Sequence, residues 1–287
     1  MKIFLAGVTY FFILVLGVLP FRLLYGFSDF ARFILKDVVS YRKKVIENNL
    51  KLCFPEKNEK EIQKLTSKFY KNLSDVMVEG LKAFTMPDRQ LRRRHRIVNP
   101  ELLDKYAGQN IIAAPGHYGN WEWGALAPAL QLDFNFVAFY TPLSNPYLDE
   151  LIRKNRSRTG TTLASTRATG STFDSLENSG TVFIMAADQS PSRPDNAIWV
   201  DFLGQKTAFL WGIEKHARKR NLPVVFVDIQ RVKRGYYTLE LSLITDDPES
   251  TKPGEITTAY AKKLENVIRQ KPENWLWSHK RWKLNRR

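Results

Sequence analysis

Apolar and polar positions change rhythm three times along this chain. Residues 3–21 carry no charge over nineteen positions, a length that just spans the hydrocarbon core of a bilayer. Within residues 56–84, Ile62, Leu65, Phe69, Leu73, Val76, Met77, Leu81 and Phe84 recur at three- and four-residue steps, predicting a helical region with one apolar face. Beyond residue 110, short apolar runs alternate with helical patterns. Residues 111–114 (IIAA), 134–140 and 181–187 (TVFIMAA) read as strands, the last apolar enough for a central parallel position. Residues 197–203 alternate weakly, and 223–232 and 236–245 flank Lys233-Arg234-Gly235 as a hairpin. Helices are expected after Asn145-Pro146, over 207–220 with Thr207 as N-cap, and over 255–269. The pattern predicts an α/β fold: a mixed, largely parallel central sheet flanked by helices.

The stretch around which these elements are organised is 111–123, IIAAPGHYGNWEW. Pro115 and Gly116 end the strand, and Trp121 onward reads as a helix start. His117 and Glu122 therefore arrive at a strand-to-helix turn, where open α/β sheets gather their chemistry. Five positions on a regular helix advance roughly 500°, so the two side chains would stand about 140° apart. They meet only if the intervening segment bends, which Gly119 permits. An imidazole held by a carboxylate is a general base for an alcohol attacking an acyl carbon. The His spacing of a helical zinc site is absent, so no metal is expected.

GHYGNWEW resembles the His-x-x-x-x-Asp/Glu box of glycerolipid-type acyltransferases, and its Glu form resembles the late (lauroyl- and myristoyl-type) acyltransferases of lipid A biosynthesis. Further stretches agree in order: YRKKVIENNLKLCFP at 41–55, the Asn-Pro-aromatic helix ending in Arg156 and Arg158, Asp188-Gln189 after the third strand, and PENWLWSHKRWK at 272–283. The resemblance implies a glycerol-3-phosphate acyltransferase-like fold and transfer of a fatty acyl chain from acyl carrier protein, or coenzyme A, to a hydroxyl of a lipid A precursor. A different glycolipid or an aminolipid is the alternative acceptor. It implies His117 as general base with Glu122 orienting it, and Asn120, Arg156, Arg158, Asp188 and Gln189 as substrate-binding residues. The arginine pair suits a phosphate clamp or oxyanion support; as plain chemistry the two are equally helix C-terminal cations. Asp188 would share a sheet edge with His117 if their strands run parallel.

Charge sharpens the picture. Lys+Arg 44 against Asp+Glu 29 gives +15, which suits an anionic membrane, an acidic carrier protein or nucleic acid. No helix-turn-helix, RNA-recognition or zinc-finger pattern supports the last. No glycine-rich nucleotide loop is present, so no nucleotide cofactor is expected. The single cysteine, Cys53, excludes an intramolecular disulfide. Only Lys2 precedes the apolar N-terminus, whereas Arg22, Arg32, Lys36, Arg42, Lys43 and Lys44 follow it. That bias puts the body on the cytoplasmic side of the inner membrane, behind either a spanning helix or a monotopic anchor. The expected partition is an anchor over 1–22 and one α/β domain over 23–287, helical and interfacial to residue 95 and catalytic from 96. Trp275, Trp277 and Trp282 suit an interface belt or a helix end packed on the core.

Overall fold

Seven strands form one sheet in the order β1-β9-β8-β2-β5-β3-β4, and β6 and β7 form a separate antiparallel pair in a computed structural model that describes residues 2–286. The strands are β1 (His95–Ile97), β2 (Ile111–Pro115), β3 (Asn135–Tyr140), β4 (Thr161–Ser165), β5 (Thr181–Ile184), β6 (Ala197–Phe202), β7 (Gln205–Leu210), β8 (Val224–Lys233) and β9 (Tyr236–Thr245). The helices are α1 (Lys2–Val18), α2 (Phe21–Phe33), α3 (Lys43–Cys53), α4 (Glu59–Lys82), α5 (Asp88–Arg94), α6 (Trp121–Gly124), α7 (Pro146–Ser157), α8 (Thr169–Ser175), α9 (Gly212–Arg220) and α10 (Glu255–Gln270). β2 is parallel to both β5 and β8, and β3 is parallel to β4 and β5. Within the seven-stranded sheet, among the described residues, only β8 and β9 pair in opposite directions. The expected mixed, largely parallel sheet is therefore present.

Side-chain alternation divides the sheet into two dry faces. Ile112, Ala114, Val137, Phe183 and Phe226 point into a cluster completed by α4, α9 and α10 through Phe69, Ile213, Tyr260 and Leu264. Ile111, Phe136, Val182, Val225, Val227 and Leu239 point the other way, toward Leu103, Trp123, Leu126 and Ala127. β5 occupies the interior position its composition predicts, though it is shorter than residues 181–187 suggest.

Two expectations need correction. Residues 207–210 are strand, not helix: Leu203 and Gly204 both take positive φ, 52° and 74°, and turn the chain into a tight hairpin that pairs β7 with β6. Thr207 therefore caps nothing, and the helix begins at Gly212. At the N-terminus the uncharged run is not one helix. Pro20, with φ at −56° and no N–H to donate, stands between α1 and α2. α1 has 17 residues, a rise of about 26 Å against roughly 30 Å of hydrocarbon. Among the described residues no helix is long and apolar enough to cross a membrane. α1 is instead tied to the body: Lys82 Nζ donates to the carbonyls of Gly17 and Leu19, and Asn145 Nδ2 donates to Lys2 O. Its outer side and that of α2 leave Phe4, Phe11, Phe12, Phe27 and Phe30 exposed. The C-terminal tryptophans settle the other way. Trp275, Trp277 and Trp282 are all buried, and the other two each pack edge-on against Trp275.

Candidate active site

Ala113 of β2 pairs with Ile184 of β5 in parallel register. His117 and Asp188 each lie four residues beyond that pair and so emerge together at the carboxyl edge of the sheet. The turn between β2 and α6 is tightly built. A Cβ on Gly116 would lie 2.7 Å from Leu264 Cδ1, and Gly119 has φ +63° with room for a Cβ blocked by Ile229 O at 2.4 Å. Neither position tolerates a side chain without displacing its neighbours. The C-terminal segment then clamps the turn: Gly119 N donates to Asn274 O at 3.0 Å, and Leu276 N donates to His117 O at 3.1 Å.

The carboxylate on the imidazole belongs to Asp188 and not, as the sequence suggested, to Glu122. His117 Nδ1 lies 2.6 Å from Asp188 Oδ1. The other oxygen, Oδ2, accepts from the His117 backbone N–H at 2.8 Å and from the Trp275 indole N–H at 2.9 Å. Glu122 is turned to Arg156 instead, whose Nη2 donates to its two oxygens at 2.8 and 2.6 Å. The reason is rotational: α6 starts at Trp121, so Glu122 follows helical geometry, which brings it to Arg156 rather than into hydrogen bonding with the His117 ring. Parallel strand pairing supplied the partner that local spacing could not. Trp275, which completes the carboxylate's shell, carried no recognisable signal in the sequence beyond its place in a tryptophan-rich motif.

Asp188 is almost wholly buried, at 1% side-chain exposure, against 23% for His117. Burial alone would push its pKa up. The charge of His117 and the hydrogen bonds from its ring, from Trp275 and from the His117 backbone outweigh that and hold Asp188 below the usual carboxylate range. For His117 burial opposes the charged form, but the Asp188 charge and hydrogen bond, joined by the charge of Glu122, raise its pKa. With Nδ1–H committed to Asp188, the imidazole lone pair sits on Nε2. Gln189 Nε2 lies 3.1 Å from that nitrogen and donates to it. A ring so held can take a proton at Nε2 and has its positive charge balanced when it does.

Arg158 and Asn120 lie outside this chemistry. Arg158 donates from Nε to Ala83 O and from Nη2 to Met86 O and pairs with Asp88, tying the end of α7 to the α4–α5 connection. Asn120 is fully buried. Its Oδ1 caps α6 at Trp123 N, and its Nδ2 donates to the buried Glu79 at 2.7 Å. Both are structural positions, made so by the helix ends they satisfy. Cys53 is buried, and that burial raises its thiol pKa, the reverse of an activated nucleophile.

His117, Glu122, Arg156 and Gln189 line a cavity of about 910 Å³. One part of it is walled by the sheet, through Ala113, Ala138, Ile184 and Val227, and roofed by Gly124, Pro128 and Leu132. That chamber is apolar and dips into the core. A second part passes over the ends of β3, β4 and β5 toward α8 and α9.

Fold and site together define an α/β protein in which a histidine backed by a buried carboxylate opens onto an apolar chamber at a parallel sheet edge. The chain belongs to the bacterial lipid A biosynthesis acyltransferases, whose family model matches residues 1–284, and it is an acyltransferase. It is 28% identical over 251 residues to a lipid A biosynthesis lauroyltransferase of Escherichia coli (strain K12), a match covering 84% of this chain and 79% of that protein. A lipid A biosynthesis acyltransferase of Haemophilus influenzae is 23% identical over 274 residues, 93% of this chain and 84% of the relative. An E. coli (strain K12) lipid A biosynthesis palmitoleoyltransferase is 23% identical over 246 residues, 84% and 79% of the two chains.

Proposed function

We propose that this acyltransferase moves a fatty acyl chain from acyl carrier protein, or from coenzyme A, to a hydroxyl of a lipid A precursor. The observation that carries the reading is the apolar chamber opening beside His117 Nε2. An acyl chain buried there would bring its thioester carbon to the imidazole and keep bulk water from competing. The acceptor hydroxyl displaces the Gln189 contact and gives its proton to Nε2 as its oxygen bonds to the acyl carbon. Asp188 balances the imidazolium. Arg156, steadied by Glu122, stabilises the negative oxygen of the tetrahedral intermediate. When the carbon–sulfur bond breaks, the imidazolium proton passes to the thiolate. The basic excess of +15 suits an acidic carrier protein as donor.

Purified protein given acyl carrier protein thioester and a lipid A precursor should yield a product heavier by one acyl group in mass spectrometry. An unmodified precursor, with acylation of another glycolipid, would reassign the acceptor.

The working position of the enzyme is proposed to be the cytoplasmic surface of the inner membrane, with α1 and α2 lying in the headgroup region. Phe4, Phe11 and Phe30 are 74%, 62% and 59% exposed on these helices, and α2 carries Arg22 and Arg32. Because inserted aromatic area does not respond to ionic strength, the protein should stay with sedimented anionic vesicles in concentrated salt. Complete release would reduce the attachment to charge alone.

A further inference from the structure

The second part of the cavity has a chemistry that the acyl-transfer step does not use. Arg167 and Lys215 line it, both exposed. Among the described residues neither pairs with a carboxylate; Lys215 Nζ rests 5.5 Å from the centre of the Trp211 ring. Asp195 lines a separate, smaller pocket with Lys215, and two other nearby acids are engaged elsewhere. Glu214 accepts from Thr257 N and Oγ1 at 3.0 and 2.7 Å, and Asp174 pairs with Arg220.

His216 adds a third donor. It is buried, stacks on Phe173 with ring centroids 4.5 Å apart, and lines the same cavity. Arg220 Nη1 lies 2.9 Å from its Nδ1. A guanidinium only donates, so Nδ1 must be the accepting nitrogen and the ring proton must sit on Nε2. Burial, with the charges of Arg220 and Lys215, lowers its pKa to about 4 and keeps the ring neutral. Among the described residues that Nε2–H has no acceptor. Two cations and a fixed N–H donor that line one cavity suit an anion of several oxygens.

We infer that Arg167, Lys215 and His216 form a phosphate-binding subsite beside the catalytic histidine. Resting on the acyl-transfer reading, its ligand is a phosphate ester carried by one of the two substrates: the sugar phosphate of the acceptor, or the phosphate at the head of the donor's pantetheine arm. Held there, the phosphate would anchor the polar end of the substrate while its reacting atom reaches His117.

The test is steady-state kinetics of an Arg167→Ala/Lys215→Ala double variant, which changes exposed side chains only, beside an Arg167→Lys/Lys215→Arg variant that keeps both charges. Loss of two charge-assisted contacts should raise one substrate's KM roughly 10- to 100-fold with kcat little changed, and the charge-keeping variant should recover most of it. If the rise appears with the phosphorylated acceptor and vanishes with its dephosphorylated form, the phosphate is the acceptor's. If it appears with the carrier-protein donor and vanishes with a short thioester lacking phosphate, the phosphate is the donor's. Unchanged KM for both substrates overturns the subsite. Inorganic pyrophosphate binding, followed by calorimetry, separates the two readings. Should the wild-type protein bind pyrophosphate, the double variant fail to, and neither acylate the lipid A precursor, the subsite stands and the proposed donor and acceptor fall.

Discussion

His117→Ala is expected to lower kcat/KM for acyl transfer by roughly 10²–10⁴, the contribution of a positioned general base. Two things make the variant informative. The side chain lies at the cavity wall and keeps 23% of its surface exposed, so its removal opens little space in the packed core. The main-chain contacts of the turn, from His117 N to Asp188 and from Leu276 N to His117 O, do not depend on the ring. The protein should therefore fold and still bind acyl chains. What disappears is the Nε2 lone pair. Asp188 is left buried with its Trp275 and backbone donors but without the ring, so a modest loss of thermal stability accompanies the loss of rate. Turnover at the wild-type rate by the purified variant would remove His117 from the mechanism.

Much of this arrangement was legible in the sequence, and the reasons differ by element. Strands β2, β3, β8 and β9 and helices α4, α7 and α10 announce themselves because apolar period and capping residues agree. Asn145, for instance, stands before Pro146 and its side chain accepts from Tyr147 N at the start of α7. The hairpin of β6 and β7 was misread in its second half because KTAFL suits either state, and the decision lay in two positive-φ residues before it. In the site, the box located His117 and Glu122 but paired them through local spacing. The true partner of the imidazole stands 71 residues away, brought near by strand order, which no period reveals. Asn120 and Arg158 look chemical in a string of letters. Their hydrogen bonds go to a helix N-terminus, a buried acid and main-chain carbonyls, and only packing shows that.

The strongest discrimination between the two acids comes from Asp188→Asn set beside Glu122→Gln. In the first variant the amide must choose an orientation. Two N–H donors, the His117 backbone and the Trp275 indole, converge on Oδ2, so the carbonyl oxygen of the new side chain stays there. Its NH₂ then faces His117 Nδ1 and can only donate, which forces the ring proton onto Nε2 and removes the base's lone pair. A loss approaching 10⁴ in kcat is expected with the fold retained, as for wrong-tautomer substitutions generally. The pH profile gives the sign independently. Activity requires the neutral imidazole and fails as pH falls through the pKa of His117. That pKa is raised in the wild type, since the charge and hydrogen bond of Asp188 and the charge of Glu122 overcome burial; the acid limb should therefore lie above the ordinary histidine value of about 6.5. Removing the Asp188 charge should move the residual activity's limb to lower pH. Glu122→Gln should weaken the hold on Arg156 and cost rate, yet move the limb less, because Glu122 makes no hydrogen bond to the ring and its charge is paired with Arg156. If Glu122→Gln moved the limb and Asp188→Asn left it in place, the orienting role would return to Glu122.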